Sequence, residues 1–226
     1  MRIVKALKTV NYRLWFAILA TMLLPTVYQT VRIYFLGDLP SDSGINIASQ
    51  LQWVNLFYEV VQEALILPLF FLLGKSLGDE KEFANKVRTG LTATAVIYAV
   101  VSIFIISCAR PLVIFMAQDG TLINATVTYI RLETVAALFA TLWRFMMTVL
   151  ITLKKDRYLY VVLSIQMALS VLLDTFLVSN LSVSARLGVN GIAITNIIVN
   201  TLLFVCAVLL LSLIHISEPT RRSYIS

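Results

Sequence analysis

The sequence predicts an all-α integral membrane protein of six transmembrane helices, and three observations lead to that reading. The chain of 226 residues is 59% hydrophobic and 13% charged, with a mean hydropathy of +0.88, whereas charged residues make up about 25% of an ordinary soluble domain. Its apolar residues gather into six runs, each of the length that about 20 helical residues need to cross a bilayer. Its lysines and arginines gather in the short segments between those runs, where they set membrane orientation.

Residues 1–13 form a basic leader with Arg2, Lys5, Lys8 and Arg13. The first span, residues 14–36, contains Pro25, which is expected to remove one helical hydrogen bond and kink the helix, and carries Arg32 near its far end. Residues 37–44, GDLPSDSG, read as a turn. The second span, residues 45–73, reads INIASQLQWVNLFYEVVQEALILPLFFLL. Gly74 is expected to cap it, ahead of a mixed-charge loop. The third span, residues 87–108, is nearly featureless, and residues 111–124 are expected to be a longer connection holding a short interfacial helix. The fourth span, residues 125–153, carries Arg131, Glu133, Trp143 and Arg144. A KKDR turn at residues 154–157 leads to the fifth span, residues 158–180, with Asp174. The turn at residues 181–190 then leads to the sixth span, residues 191–211. The text of residues 212–226, SLIHISEPTRRSYIS, has no periodicity; it resembles translated sequencing-adapter read-through and is expected to be non-native. The lone histidine, His215, lies there and receives no role.

With the N-terminus in the cytoplasm, the leader and the loops after the second and fourth spans hold eleven Lys and Arg residues, against Arg110 and Arg186 on the other side. That asymmetry predicts an N-in, multi-pass protein of the plasma (inner) membrane, with the lipid bilayer as its first partner. The net charge of +6 is spent on these loops. No Gly-rich phosphate loop or aromatic-basic ribbon accompanies it, so nucleic acid is not an expected partner. Cys108 and Cys206 both fall inside spans and read as small buried hydrophobes.

The second span is the informative one. Gln52, Asn55, Glu59, Gln62 and Glu63 are set into it at helical spacing, and steps of three and four residues put Gln52, Asn55, Glu59 and Glu63 on one helical face. Charged groups at the centre of a bilayer cost about 2.5–3.5 kcal/mol each even on lenient scales, so this face is expected to meet protein or water. For Glu59 and Glu63 two readings stand side by side: a hydrogen-bonded carboxylate that fixes helix packing, or a site that loads and unloads a proton or cation. Asp174 invites the same pair of readings. Arg32 either snorkels to the interface or pairs with Glu59 or Glu63 on the next helix. Arg144 lies about 15 Å from the nearer membrane edge, a depth that calls for a watery cavity or an acidic partner. The candidate substrate and ion pathway is therefore Glu59, Glu63, Asn55, Gln52, Gln62, Asp174, Arg32 and Arg144. No metal-ligand spacing, no G-x-S-x-G and no usable histidine is present, so no catalytic residue, metal site or cofactor is assigned and an enzyme is not expected.

Three stretches resemble a known family: LPLFFLLGKSLGDEKEFANKVRTGL, NATVTYIRLE, and LLDTFLVSNLSVSARLGVNGIAITNIIVN with its fifth-span acid followed by L-G-V-x-G-x-A-I. Together with the six-span layout they are similar to the first half of a multidrug and toxic compound extrusion (MATE) transporter, over residues 14–211. The resemblance implies one lobe of a twelve-helix, two-lobe secondary transporter that exports cationic or amphipathic small molecules in exchange for protons or sodium, with a second six-helix lobe missing from this chain. Lipid-linked saccharide flippases share that architecture and are the alternative, with Arg32, Arg131 and Arg144 as diphosphate-holding candidates. A third reading is a truncated lobe without activity by itself. The sequence departs from the family in YQTVRIYFLG, residues 28–37, where Arg32 stands at a position that is acidic in many members. Any acidic coupling role then falls to Glu59, Glu63 or Asp174.

Overall fold

The computed structural model describes residues 12–37, 43–153 and 157–222, and among these every regular element is helical. Most of the basic leader, the centre of the first turn and most of the KKDR turn lie outside the described residues. The six helices are α1 (Tyr12–Gly37), α2 (Ser43–Lys75), α3 (Glu80–Phe115), α4 (Ile123–Thr152), α5 (Arg157–Leu177) and α6 (Val189–Arg222). From α2 to α6, all five contain stretches long and apolar enough to cross a membrane, and α1, at 26 residues, has the length to do so. Large apolar side chains stand exposed along the outer faces, among them Trp53, Phe57, Val100, Ile103, Phe104 and Phe115. A soluble monomer rarely shows a surface of that kind; hydrocarbon solvates it without cost, as around a multi-pass membrane protein.

Helix α4 is the axis of the bundle. Of its most apolar window 56% is buried, against 17–22% for α2, α3, α5 and α6. It packs chiefly on α6 and α3 and then on α2, while α5 leans on α6 and α1 leans on α5. Burying so much of a helix that contains threonines requires their hydroxyls to be satisfied locally. Thr126, Thr134, Thr141 and Thr152 each donate to the carbonyl four residues earlier, at 2.7–2.9 Å. The core at one end of the bundle joins Leu73, Phe83, Phe145, Leu150 and Leu203. A second cluster joins Tyr58, Tyr98, Ile105 and Ile130, and a third joins Leu36, Ile47, Tyr129, Val178 and Ile192. In the second cluster the Tyr58 and Tyr98 rings stack with centroids 5.8 Å apart, and Tyr98 Oη donates to the Tyr58 carbonyl at 3.1 Å. This fixes α2 against α3.

Several helix boundaries differ from the sequence expectation. Gly74 sits within the last turn of α2, which closes one residue later, with Ser76 bonded back to the Leu73 carbonyl. Helix α3 then begins early, because the Asp79 carboxylate accepts from the backbone N–H groups of Lys81 and Glu82 at 2.9 and 3.1 Å. Its 36 residues make it about 54 Å long. It does not stop before Pro111 but runs through it to Phe115, leaving only residues 116–122 as connection, with no interfacial helix. Proline removes one i−4 bond and crowds the preceding turn. One turn before the proline the Ile106 carbonyl accepts from Arg131 Nε at 3.2 Å, which ties α3 to α4. In the connection itself, two hydrogen bonds from Thr121 hold the exposed Asp119 carboxyl below its ordinary range.

Helix α6 likewise passes Leu211, the expected end of the sixth span, without a break and continues to Arg222. The residues that follow, Leu213, Ile214 and Ile216, prolong the apolar run and supply no helix breaker at the boundary. Cys206 also differs from expectation, being exposed on α6 rather than buried.

The chain turns from α5 to α6 through residues 178–188, where Arg186 and Gly188 adopt positive φ of 52° and 59°. Leu187 N–H closes the turn on the Leu177 carbonyl at 2.8 Å. Gly191 then lies so close to the end of α5 that a Cβ would stand 2.9 Å from the Leu177 carbonyl oxygen. Because that neighbour is backbone, it cannot swing aside. Gly191→Ala is therefore expected to destabilise the α5–α6 junction by about 1–3 kcal/mol, read as a lowered midpoint of thermal unfolding in detergent micelles; an unchanged midpoint would show that the two helices have slack here.

Candidate functional site

The polar residues of the apolar helices converge on one side of α4. On α1, Tyr28 and Arg32 are one turn apart and share a face, with the guanidinium carbon 4.5 Å from the Tyr28 ring centroid. Helix α1 packs on α5, and this brings Arg32 Nε to 3.1 Å from Asp174 Oδ2. Tyr28 Oη donates to the same oxygen, also at 3.1 Å. Asp174 is only 1% exposed, and its other oxygen, Oδ1, is buried with no hydrogen-bond partner among the described residues.

From Arg32 the network continues into the centre. Nη2 donates to Asn196 Oδ1 on α6 at 2.9 Å, and Asn196 Nδ2 donates to Glu133 Oε1 on α4 at 2.8 Å. The amide has one orientation that satisfies both neighbours, oxygen toward the guanidinium and nitrogen toward the carboxylate. Glu133 is 8% exposed. The network thus joins α1, α4, α5 and α6 and sets one guanidinium against two carboxylates. Where the effective dielectric is low, such an excess of negative charge is costly unless a proton or cation offsets it.

Two clefts open onto this network. The first, of about 540 Å³, lies between α1, α2, α4 and α6 and is lined by Arg32, Gln52, Asn55, Tyr129, Glu133 and Asn196, among others. The second, of about 460 Å³, extends along α4 past Glu59, Gln62, Arg144, Gln166 and Asn200. They share Gln29, Asn55, Glu133 and Asn196, so both border the network. Room for the second cleft comes from Ala136, Ala137 and Ala140, small residues on the face that α4 turns toward it. No family model, no curated protein and no solved structure matches the chain.

The clefts gather most of the residues singled out in the sequence. Gln52 and Asn55 line the first, and Asn55, Glu59, Gln62 and Arg144 line the second. Glu63 is exposed and lines neither. The lining follows steps of three, four and three residues along α2, from Gln52 through Asn55 and Glu59 to Gln62. At 100° per residue this stripe drifts around the helix and leaves Glu63 at its edge. Arg131 also lines neither cleft, its Nε being engaged by α3. The expected pairing of Arg32 with Glu59 or Glu63 is not made. Asp174 takes its place, because α1 lies mainly along α5 and touches its sequence neighbour α2 far less. Glu133 and Asn196 were not singled out. An acid in the middle of a span was the available signal for Glu133; Asn196, one amide in an apolar helix, gave none until its neighbours were known.

Arg32 and Asp174 supply a direct test. Arg32→Ala leaves the Asp174 carboxylate buried and unpaired, an imbalance that costs about 3–5 kcal/mol. The thermal midpoint of the variant in detergent is expected to fall, and the double variant Arg32→Met with Asp174→Leu to recover most of the loss. Additive losses in the double variant would mean that the two side chains do not act as a pair.

Proposed function

We propose that this chain is one six-helix lobe of a secondary active transporter of the MATE type. In this reading it exports small cationic or amphipathic molecules across the bilayer in exchange for protons or sodium. The observation that carries the reading is the network of Arg32, Asn196, Asp174 and Glu133, with one cation against two acids. A group that must be neutralised in low dielectric, and that borders a wet cleft, is suited to taking up a proton or a sodium ion and releasing it when the cleft opens. In this reading the two polar clefts provide the substrate path, and the helices that meet there are the elements whose relative motion would expose the path to either side. The basic loops orient the chain with its N-terminus in the cytoplasm. The polar residues exposed on α1 and α2, which lipid would not solvate, are the surface that a second lobe would cover.

The flippase reading draws less support. A diphosphate calls for several free cations along the path. Arg32 is occupied by Asp174 and Asn196, Arg131 stands outside both clefts, and Arg144 remains.

In proteoliposomes containing the parent transporter, Glu133→Gln is expected to lower substrate-driven proton or sodium flux by about tenfold, within the range of ordinary coupling free energies, with insertion and folding intact. Unchanged flux for both ions would remove the network from the coupling path. Sequencing the parent locus beyond codon 211 is expected to show six further apolar spans; a soluble domain there would rule out the two-lobe arrangement.

A further inference from the structure

The charges in the second cleft identify the kind of molecule it takes. Four charged side chains line the two clefts: Arg32, Glu59, Glu133 and Arg144. Arg32 is neutralised by Asp174, and Glu133 is engaged by Asn196. The remaining two face a cleft of about 460 Å³ from different helices, Glu59 from α2 and Arg144 from α4. Neither makes an ion pair or a side-chain hydrogen bond among the described residues, and both are exposed to the cleft. Between them the wall is amide-rich, with Asn55, Gln62, Gln166 and Asn200. These groups offer donors and acceptors in equal supply and no net charge.

From this arrangement we infer that the cleft binds a small zwitterion, an ammonium against Glu59 and a carboxylate against Arg144, of amino-acid or dipeptide size. The inference rests on the transport reading for the purpose of binding but not for its geometry. A bound molecule displaces water from both charged groups, and each then needs an opposite charge from the ligand. A lipophilic monocation satisfies Glu59 and strands Arg144; a monoanion does the reverse. Discrimination therefore comes as much from the charge left unpaired as from the contact made. Guanidinium and carboxylate are matched for two parallel hydrogen bonds, which fixes the orientation of the ligand along the cleft. A cavity of this volume lies within the range that encloses small ligands.

The test measures binding to the full chain of 226 residues, purified in detergent micelles, by isothermal calorimetry. The probes are alanyl-alanine, its methyl ester, which is a cation only, and its N-acetyl derivative, which is an anion only. The dipeptide is expected to bind at least about tenfold more tightly than either derivative. Glu59→Gln should erase the advantage over the N-acetyl form and leave the advantage over the ester; Arg144→Gln should do the opposite. Because the second cleft accepts both side chains without packing them, circular dichroism and elution volume of the variants are expected to match the parent. Equal or tighter binding of the methyl ester would overturn the inference in favour of a cation site, and so would failure of all three probes to bind. A zwitterion that binds in this pattern while ion-coupled flux is absent would keep the inference and defeat the transport reading, so the two fail separately.

Discussion

A guanidinium and a carboxylate 3.1 Å apart, one on α1 and the other on α5, impose the arrangement of everything around them. Placing either alone among apolar helices costs several kcal/mol, and placing them together recovers that cost only when the remaining donors and acceptors are also met. Tyr28, Asn196 and Glu133 meet most of them. The pair therefore recruits side chains from α4 and α6. Four helices that could slide past one another on apolar contacts alone acquire a common register at this point. Attraction between apolar side chains in lipid cannot supply such a register, because the tails outside are as apolar as the residues inside.

The same economy explains why α4 occupies the centre. It is the helix with buried polar side chains along its whole length, and its threonines return their hydroxyl protons to their own backbone. A helix that satisfies its own polar groups can be enclosed on all sides. By contrast, α2 and α3 turn aromatic and branched side chains outward, while Gln52, Asn55, Glu59 and Gln62 of α2 line the clefts. The division produces a bundle with an apolar exterior and a polar seam. That seam is the feature from which the functional reading grows, since a path for charged molecules needs groups that replace water at each step.

The two charge patterns in the seam differ in kind. Around Asp174 the charges are close, mutually engaged and negative in sum. Along the second cleft, Glu59 and Arg144 are not engaged with each other. Asn196 lines this second cleft and belongs to the network as well. A ligand in the cleft and a charge on the network would thus act on one side chain, the physical link that coupling between two sites requires.

Much of this was present in the chain before any coordinates. Six apolar runs, the absence of strand-like alternation and the spacing of Gln52, Asn55, Glu59 and Gln62 follow from local rules, namely helix length, period and the cost of charge in hydrocarbon. Helix ends were less legible. The signals at Gly74 and Pro111 did not place the helix ends: α2 closes one residue after Gly74, and α3 runs through Pro111 to Phe115. Which charge meets which could not be read at all. Arg32 is about 30 residues from Glu59 in sequence and 142 from Asp174, yet it is the distant acid that it meets. Packing between helices, α1 on α5 and α4 on α6, is decided by side-chain shape summed over whole faces. The sequence by itself determined that polar groups had to turn inward; the tertiary structure alone decided that Glu133 and Asn196 would stand between them.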